Sequence, residues 1–309
     1  MADLSTLGSS SGGVWTRAEA CRLLPASTVR AALKDGSWQR LLPGTYTDAG
    51  AVTAEQRCWA AVLASGGADA VACGRTAARF WGFPLVDDYD PATGAREHRF
   101  DEVVAPAHRR TLRAGGRELR RHRFVLRPGD VVRTSSGLLV TSALRTLVDC
   151  CSLLTEEAAV CALDHALHRG DLRRAQLAAA VQASRGRPGA VALTAAAALA
   201  DGRAESPFET LTRLVLLPVL PELEPQVELR DPSGWLIARF DLADRRRKLA
   251  VESDGQTGHA GPQMVARDRR RDERAEDLGW HTERFTWFDV RCRPEQVRAR
   301  VLRRAQRAA

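Results

Sequence analysis

A chain of 309 residues is long enough for about two domains, each with its own apolar core. Its net charge of +8 and pI near 9.6 favour an anionic partner, nucleic acid before membrane. Lys34 and Lys248 are the only lysines among the cations, a bias that a GC-rich coding sequence also produces, so the charge narrows the partner without naming it.

Met1 to Gly13 is Ser/Gly-rich and reads as a flexible start; it lacks a basic region and an apolar signal core, so no export is expected. Thr16-Arg17-Ala18-Glu19 is a capping box that opens a short helix ending near Leu24-Pro25. A second helix, capped by Ser27 or Thr28, runs through Val29, Ala32 and Leu33 to Gly36. Trp38 to Tyr46 reads as two short strands around the Pro43-Gly44 turn. Two helices and a hairpin this compact, over residues 14–50, suggest a winged helix-turn-helix. Its second helix would enter a major groove, with Arg30, Lys34 and the wing residue Arg40 within reach of DNA. A small helical cap with solvated charges fits the same pattern.

Residues 51–202 read as a mixed α/β region. Thr53 to Gln56 opens a helix, and another carries Thr76 to Trp81 before Gly82 stops it. Short strands follow at Phe100–Val104, Leu119–Phe124, Val131–Arg133 and Leu138–Val140, and Ser142 caps a helix. Helices continue over Thr155–Arg169, Leu172–Ser184 and Ala190–Ala200, the last too short to span a bilayer. Asp164, His165 and His168 have spacing that could hold a metal, and equally suit a polar helix surface. The seven cysteines form no Cys-x-x-Cys pair, so neither a zinc site nor a disulfide framework is indicated. A cytoplasmic protein with no membrane partner is expected.

Asp201-Gly202-Arg203 is the expected linker to residues 203–309. Ser206-Pro207-Phe208-Glu209 carries a helix-start signature in which Glu209 is placed to bond back to the cap. Arg239 to Gly255 then reads as a hairpin with its turn in Asp244 to Arg247. With a period of two, Phe240 and Leu242 face one way and Arg239 and Asp241 the other; Lys248, Ala250, Glu252 and Asp254 share a face. Asp241, Glu252 and Asp254 then converge, which is costly unless a cation sits between them. Mg2+ or Mn2+, held by carboxylates and water, would relieve the repulsion. Acidic residues on the wet face of an edge hairpin are the plainer alternative. Gly255 and Gly258 loosen a loop that brings His259 just beyond the last carboxylate. Met264 to Leu278 is a charged helix, Trp280 to Trp287 a strand, and Pro294 to Gln306 a basic helix. Arg267, Arg271 and Arg284 could neutralise phosphates or pair with Asp268, Asp272 and Glu276 along the helix.

Two resemblances carry more. Trp38 to Tyr46, Thr76 to Gly82 and Val140 to Asp149 make the run from Trp15 to Leu167 similar to the abortive-infection type IV antitoxins, transcriptional repressors with a winged helix-turn-helix. That implies DNA binding and a cognate toxin. Ser206 to Glu209, Arg239-Phe240-Asp241, Val251 to Gly255 with His259, Arg267 to Arg271, and Gly279-Trp280 with Arg284 to Thr286 make the last third resemble another family. These are domains related to the very-short-patch repair endonucleases of the PD-(D/E)XK superfamily.

The expected fold is therefore multidomain α+β: a winged helix-turn-helix, a mixed middle region, and a C-terminal α/β restriction-endonuclease-like domain. The second resemblance implies a metal-dependent DNA endonuclease. Asp241 and Glu252 would hold Mg2+, Asp254 would complete the site, Glu209 would reach toward it and His259 would move a proton. Asp254 stands where the superfamily has lysine, and Lys248 lies too far back along the strand to substitute for it easily. A non-catalytic repressor or antitoxin with a decayed nuclease domain is the rival expectation.

Overall fold

The computed structural model describes residues 7–66, 69–95, 100–105, 112–114, 117–254 and 262–307. Among them are three sheets and twelve α-helices, in two compact units. The first unit comprises Met1–Asp88, Glu97–Thr155 and Arg174–Thr194; the second comprises Tyr89–Arg96, Glu156–Arg173 and Ala195–Ala309. No helix among the described residues is long and apolar enough to cross a membrane.

The first unit begins with β1 (Trp15–Thr16), α1 (Arg17–Leu23), α2 (Ala26–Lys34), β2 (Trp38–Leu42) and β3 (Thr45–Asp48). The Thr16 hydroxyl accepts the Glu19 N–H and the Glu19 carboxylate accepts the Thr16 N–H, completing the expected capping box. α2 differs at its start. It opens directly after Pro25, with no side-chain cap, so Ser27 and Thr28 are first-turn residues; proline's fixed φ favours entry there. The strands order β1-β3-β2, and Trp15 meets Trp38 edge-on at 4.9 Å over a small core with Val29 and Tyr46. Val29 is the one fully buried residue of α2.

Next come α3 (Ala54–Ala64), β4 (Val71–Ala72), α4 (Gly74–Trp81), β5 (Phe100–Val104), β6 (Leu112–Ala114), β7 (Arg117–His122), β8 (Val131–Arg133), β9 (Leu139–Thr141) and α5 (Ala143–Leu153). The sheet orders β6-β7-β5-β4-β9-β8, with β5/β7 and β4/β9 parallel. α4 starts two residues earlier than its sequence pattern suggests, and Gly82 ends it at φ +76°, a conformation that costs glycine little. Glu102 is fully buried. It accepts the Arg75 N–H at 2.6 Å and lies 3.5 Å from the Arg75 guanidinium and 3.3 Å from His122. Burial pushes this carboxyl up, but the His122 and Arg75 contacts outweigh it and hold Glu102 below its ordinary range.

α6 (Glu156–His168), α7 (Arg174–Ala183), α8 (Ala190–Leu199) and α9 (Pro207–Leu216) follow. In the second unit α6 packs on α9. Asp164 is 1% exposed and accepts Arg213 Nη2 at 2.9 Å, Thr210 Oγ1 at 2.9 Å and the Asp201 N–H. Both carboxylate oxygens are thus engaged. Neither the metal site nor the polar surface expected for Asp164 is what the fold builds there; it is a buried anchor between helices.

β10 (Glu224–Arg230), β11 (Leu236–Asp244) and β12 (Leu249–Asp254) form an antiparallel meander. α10 (Pro262–Asp277) crosses over so that β13 (His281–Thr286) runs parallel to β12. Ala275 and Trp280 close the core on Val227, Ala238 and Phe240, with the Trp280 and Phe240 rings stacked at 5.1 Å. The strand expected through Trp287 stops at Thr286, where a Thr286–Asp289 capping box opens α11 (Trp287–Cys292). α12 (Pro294–Arg307) ends the described chain.

Candidate functional site

The hairpin forms as the alternation implied: Phe240 and Leu242 are each 1% exposed, Arg239 is exposed and Asp241 lies between. The β11–β12 ladder ends at the Leu242–Val251 pair, and Asp241 and Glu252 are the next residues beyond it on the two strands. Glu252 in turn pairs with Arg284 on β13. On the other side, Pro225 and Val227 pair with Leu242 and Phe240, which sets Gln226 across from Asp241. Gln226, Asp241, Glu252 and Arg284 therefore lie at neighbouring positions on four adjacent strands.

Asp241 Oδ2 accepts the Ser253 N–H at 2.8 Å. Burial pushes the Asp241 carboxyl up to about 6; the Ser253 bond opposes this and the charges of Glu209, Glu252 and Glu205 add to it. Glu252 Oε2 accepts Arg271 Nη2 at 2.9 Å and Arg284 Nε at 3.0 Å, and both arginines also reach Asp272. Burial raises the Asp272 carboxyl, but the Arg284 hydrogen bond and the two guanidinium charges hold it below its ordinary range. Asp254 is exposed, and its carboxylate makes no hydrogen bond or ion pair among the described residues.

A cleft of about 930 Å³ opens over Asp241, Glu252 and Arg284. Asp241, Glu252 and Asp254 line it from the hairpin and Asp268, Asp272, Glu273 and Glu276 from α10, against Arg239, Arg269, Arg271 and Arg284. Seven carboxylates against four guanidinia leave an excess of three negative charges when all are ionised. A polyanion entering alone would be repelled, whereas a hard divalent cation finds oxygen donors of the right kind. The donor chemistry therefore fits Mg2+ or Mn2+, although no three such ligands already stand together among the described residues.

Glu209 supplies half of the expected capping box. Its N–H is accepted by Ser206 Oγ at 3.2 Å, but its carboxylate takes the Glu205 N–H at 2.9 Å, not that of Ser206. The same oxygen accepts Gln226 Nε2 at 2.8 Å. Lys248 does not serve the cleft: at φ +48° it turns away, and its Nζ donates to the Leu278 carbonyl at 2.9 Å. His259 lies outside the described residues, as does the Arg267 side chain. Gln226 and Ser253 were not singled out by their sequence; strand alternation marks neither. In the first unit Arg30, Lys34 and Arg40 are exposed, and Arg40 lies 5.9 Å from the Tyr46 ring centre. Arg30 and Lys34 have no ion-pair partner among the described residues.

Residues 70–199 match the family described as the AbiEi antitoxin C-terminal domain. No solved structure matches the chain significantly. The uncharacterized proteins MT2308 and Rv2248 of Mycobacterium tuberculosis (strains CDC 1551 / Oshkosh and ATCC 25618 / H37Rv) are each 34% identical over 245 residues. The alignment covers 78% of this chain and 83% of each relative. With that identity over most of both lengths, the chain belongs to the family of these mycobacterial proteins, and it carries an AbiEi-antitoxin-like domain in its middle.

Proposed function

We propose that this protein is a DNA-binding regulator of the antitoxin kind whose C-terminal unit hydrolyses nucleic-acid phosphodiesters with a divalent metal. The excess of carboxylates in the cleft around Asp241 and Glu252 carries the hydrolytic part. A cation held by Asp241, Glu252 and Asp254 would polarise the phosphate and acidify a water. Arg271 and Arg284 stand beside Glu252 to neutralise phosphate charge. His259 is assigned the proton transfer, its ordinary pKa suiting it to either direction. In the first unit, β1–α1–α2–β2–β3 is read as a winged helix-turn-helix, with α2 as the groove helix and Arg30, Lys34 and Arg40 on phosphates. The antitoxin-like domain implies a toxin protein as a second partner.

Purified protein is incubated with plasmid and with single-stranded DNA in Mg2+, Mn2+ or EDTA. Cleavage is expected only with metal, and not from Glu252→Ala. His259→Ala should slow it by about 10²–10⁴. A second reading, a repressor without catalysis, is favoured by the two guanidinia that already neutralise Glu252. Wild-type protein that binds DNA yet cuts none in either metal would establish that reading instead.

A further inference from the structure

Glu252 faces the cleft already engaged by two guanidinia. Its Oε2 accepts Arg271 Nη2 at 2.9 Å and Arg284 Nε at 3.0 Å. Both arginines also reach Asp272 Oδ1, Arg284 through Nη2 at 2.8 Å and Arg271 through Nη2 at 3.2 Å. Two carboxylates and two guanidinia thus close a neutral quartet, and all four residues line the cleft. The other five carboxylates of the cleft meet only Arg239 and Arg269, which are themselves paired with Glu205 and Glu273.

This arrangement works against either ligand arriving alone. A divalent cation approaching Glu252 meets a carboxylate whose charge two guanidinia already neutralise, and the guanidinia repel it. A phosphate meets the excess of carboxylates. Together the two ligands relieve each other. Phosphate oxygens accept the guanidinium fork as well as a carboxylate does, so a phosphate can draw Arg271 and Arg284 off Glu252. The freed carboxylate then serves the cation, and the cation offsets the acidic wall that faces the polyanion. The arginines are the open members of the network, with side chains 28% and 36% exposed against 12% for Glu252. Bracing α10 on the sheet explains less: the Arg284–Asp272 pair already joins β13 to α10, without both arginines converging on a cleft carboxylate.

We infer that Arg271 and Arg284 form a latch on Glu252 that a nucleic-acid phosphate releases, so that divalent metal and phosphodiester bind this cleft cooperatively. This rests on the metal reading of the cleft and deepens it. It reconciles a metal ligand at Glu252 with the guanidinia that neutralise it.

The full chain is titrated with MnCl2 by calorimetry, alone and with a saturating short duplex whose phosphorothioate linkages resist cleavage. Metal taken up by the duplex itself is common to all proteins compared and cancels. Without duplex, Arg271→Gln is expected to bind Mn2+ about 10-fold more tightly than wild type. Glu252→Ala in the same chain should remove that gain, and Arg271→Lys, which keeps the charge, should bind as weakly as wild type. Duplex should tighten Mn2+ binding about 10-fold in wild type and at most about 3-fold in Arg271→Gln. An Arg271→Gln chain that binds Mn2+ no more tightly than wild type overturns the latch and leaves the arginines as braces. So does an equal effect of duplex on both proteins, which would mean that the phosphate oxygens act on the metal directly. If neither protein takes up Mn2+, with or without duplex, the metal reading itself has failed.

Discussion

Gly74→Ala should be among the most damaging single-methyl additions in the first unit. Gly74 opens α4 at φ +50°, where a Cβ would lie 2.3 Å from Glu102 Oε2 and 2.8 Å from Leu153 Cδ1. The backbone alone costs about 1–2 kcal/mol for alanine in the left-handed region. The new methyl must also push the buried Glu102 carboxylate off the Arg75 N–H, a charge-assisted bond worth about 1.5–3 kcal/mol. Together these make about 3–5 kcal/mol, which for a unit of this size lowers Tm by roughly 10 °C. Gly137→Ala is the control: φ is +85° but the space around it is open, so only the backbone part should appear. Both variants are melted by circular dichroism. Equal losses in the two would refute the idea that Glu102 is pinned against the start of α4.

The Asp149 carboxyl, pushed up to about 6 by burial that Arg145 only partly offsets, binds protons more tightly folded than unfolded. Stability should therefore decline as pH rises from about 4 to 6, by up to ~3 kcal/mol, and flatten above. Asp149→Asn should remove this share of the decline from urea midpoints, leaving the share that Asp241 contributes in the same window, and a variant with the wild-type profile would contradict it. Mg2+ or Mn2+ at about 100 times its Kd should add about 2.7 kcal/mol to the stability of the full chain. Glu252→Ala should abolish the gain, and a wild-type Tm indifferent to millimolar metal would remove the cation site. Replacing Arg30, Lys34 and Arg40 together by alanine should weaken duplex binding on any sequence and reduce the salt slope by about 3. An unchanged slope would take α2 and the hairpin off the DNA.

Features set by near neighbours were legible in the sequence. The capping boxes at Thr16 and Thr53 and the Asp241–Glu252 hairpin depend on residues a few positions apart, and all three form as read. Where a distant partner decides, the sequence was silent or misleading. Asp164 looked like a surface group because its guanidinium, Arg213, arrives from another helix. Gln226 gave no signal because its bond to Glu209 comes from a backbone twist. The start of α11 was visible as Thr286-x-x-Asp289, yet the alternation of Phe285 and Trp287 suggested that the strand ran on. For Arg271 and Arg284, ion pairs with the acidic residues of α10 were expected, but Arg284 reaches Asp272 from β13, and the meeting of both on Glu252 required the parallel register of that strand.

The chain enters the second unit over Tyr89–Arg96, enters it again after Thr155, returns after Arg173, and leaves once more after Thr194. α6 thus lies inside the stretch that matches the antitoxin family but belongs to the unit that holds the acidic cleft. No single scission can release either unit whole. A fragment ending at residue 199 would strand Asp164 without Arg213, and the complementary piece would expose the α9 surface that α6 covers. Lineages that shuffle such halves as independent cassettes would have to rebuild that seam each time. The interleaving therefore ties the inheritance of the antitoxin-like stretch to that of the stretch bearing the cleft.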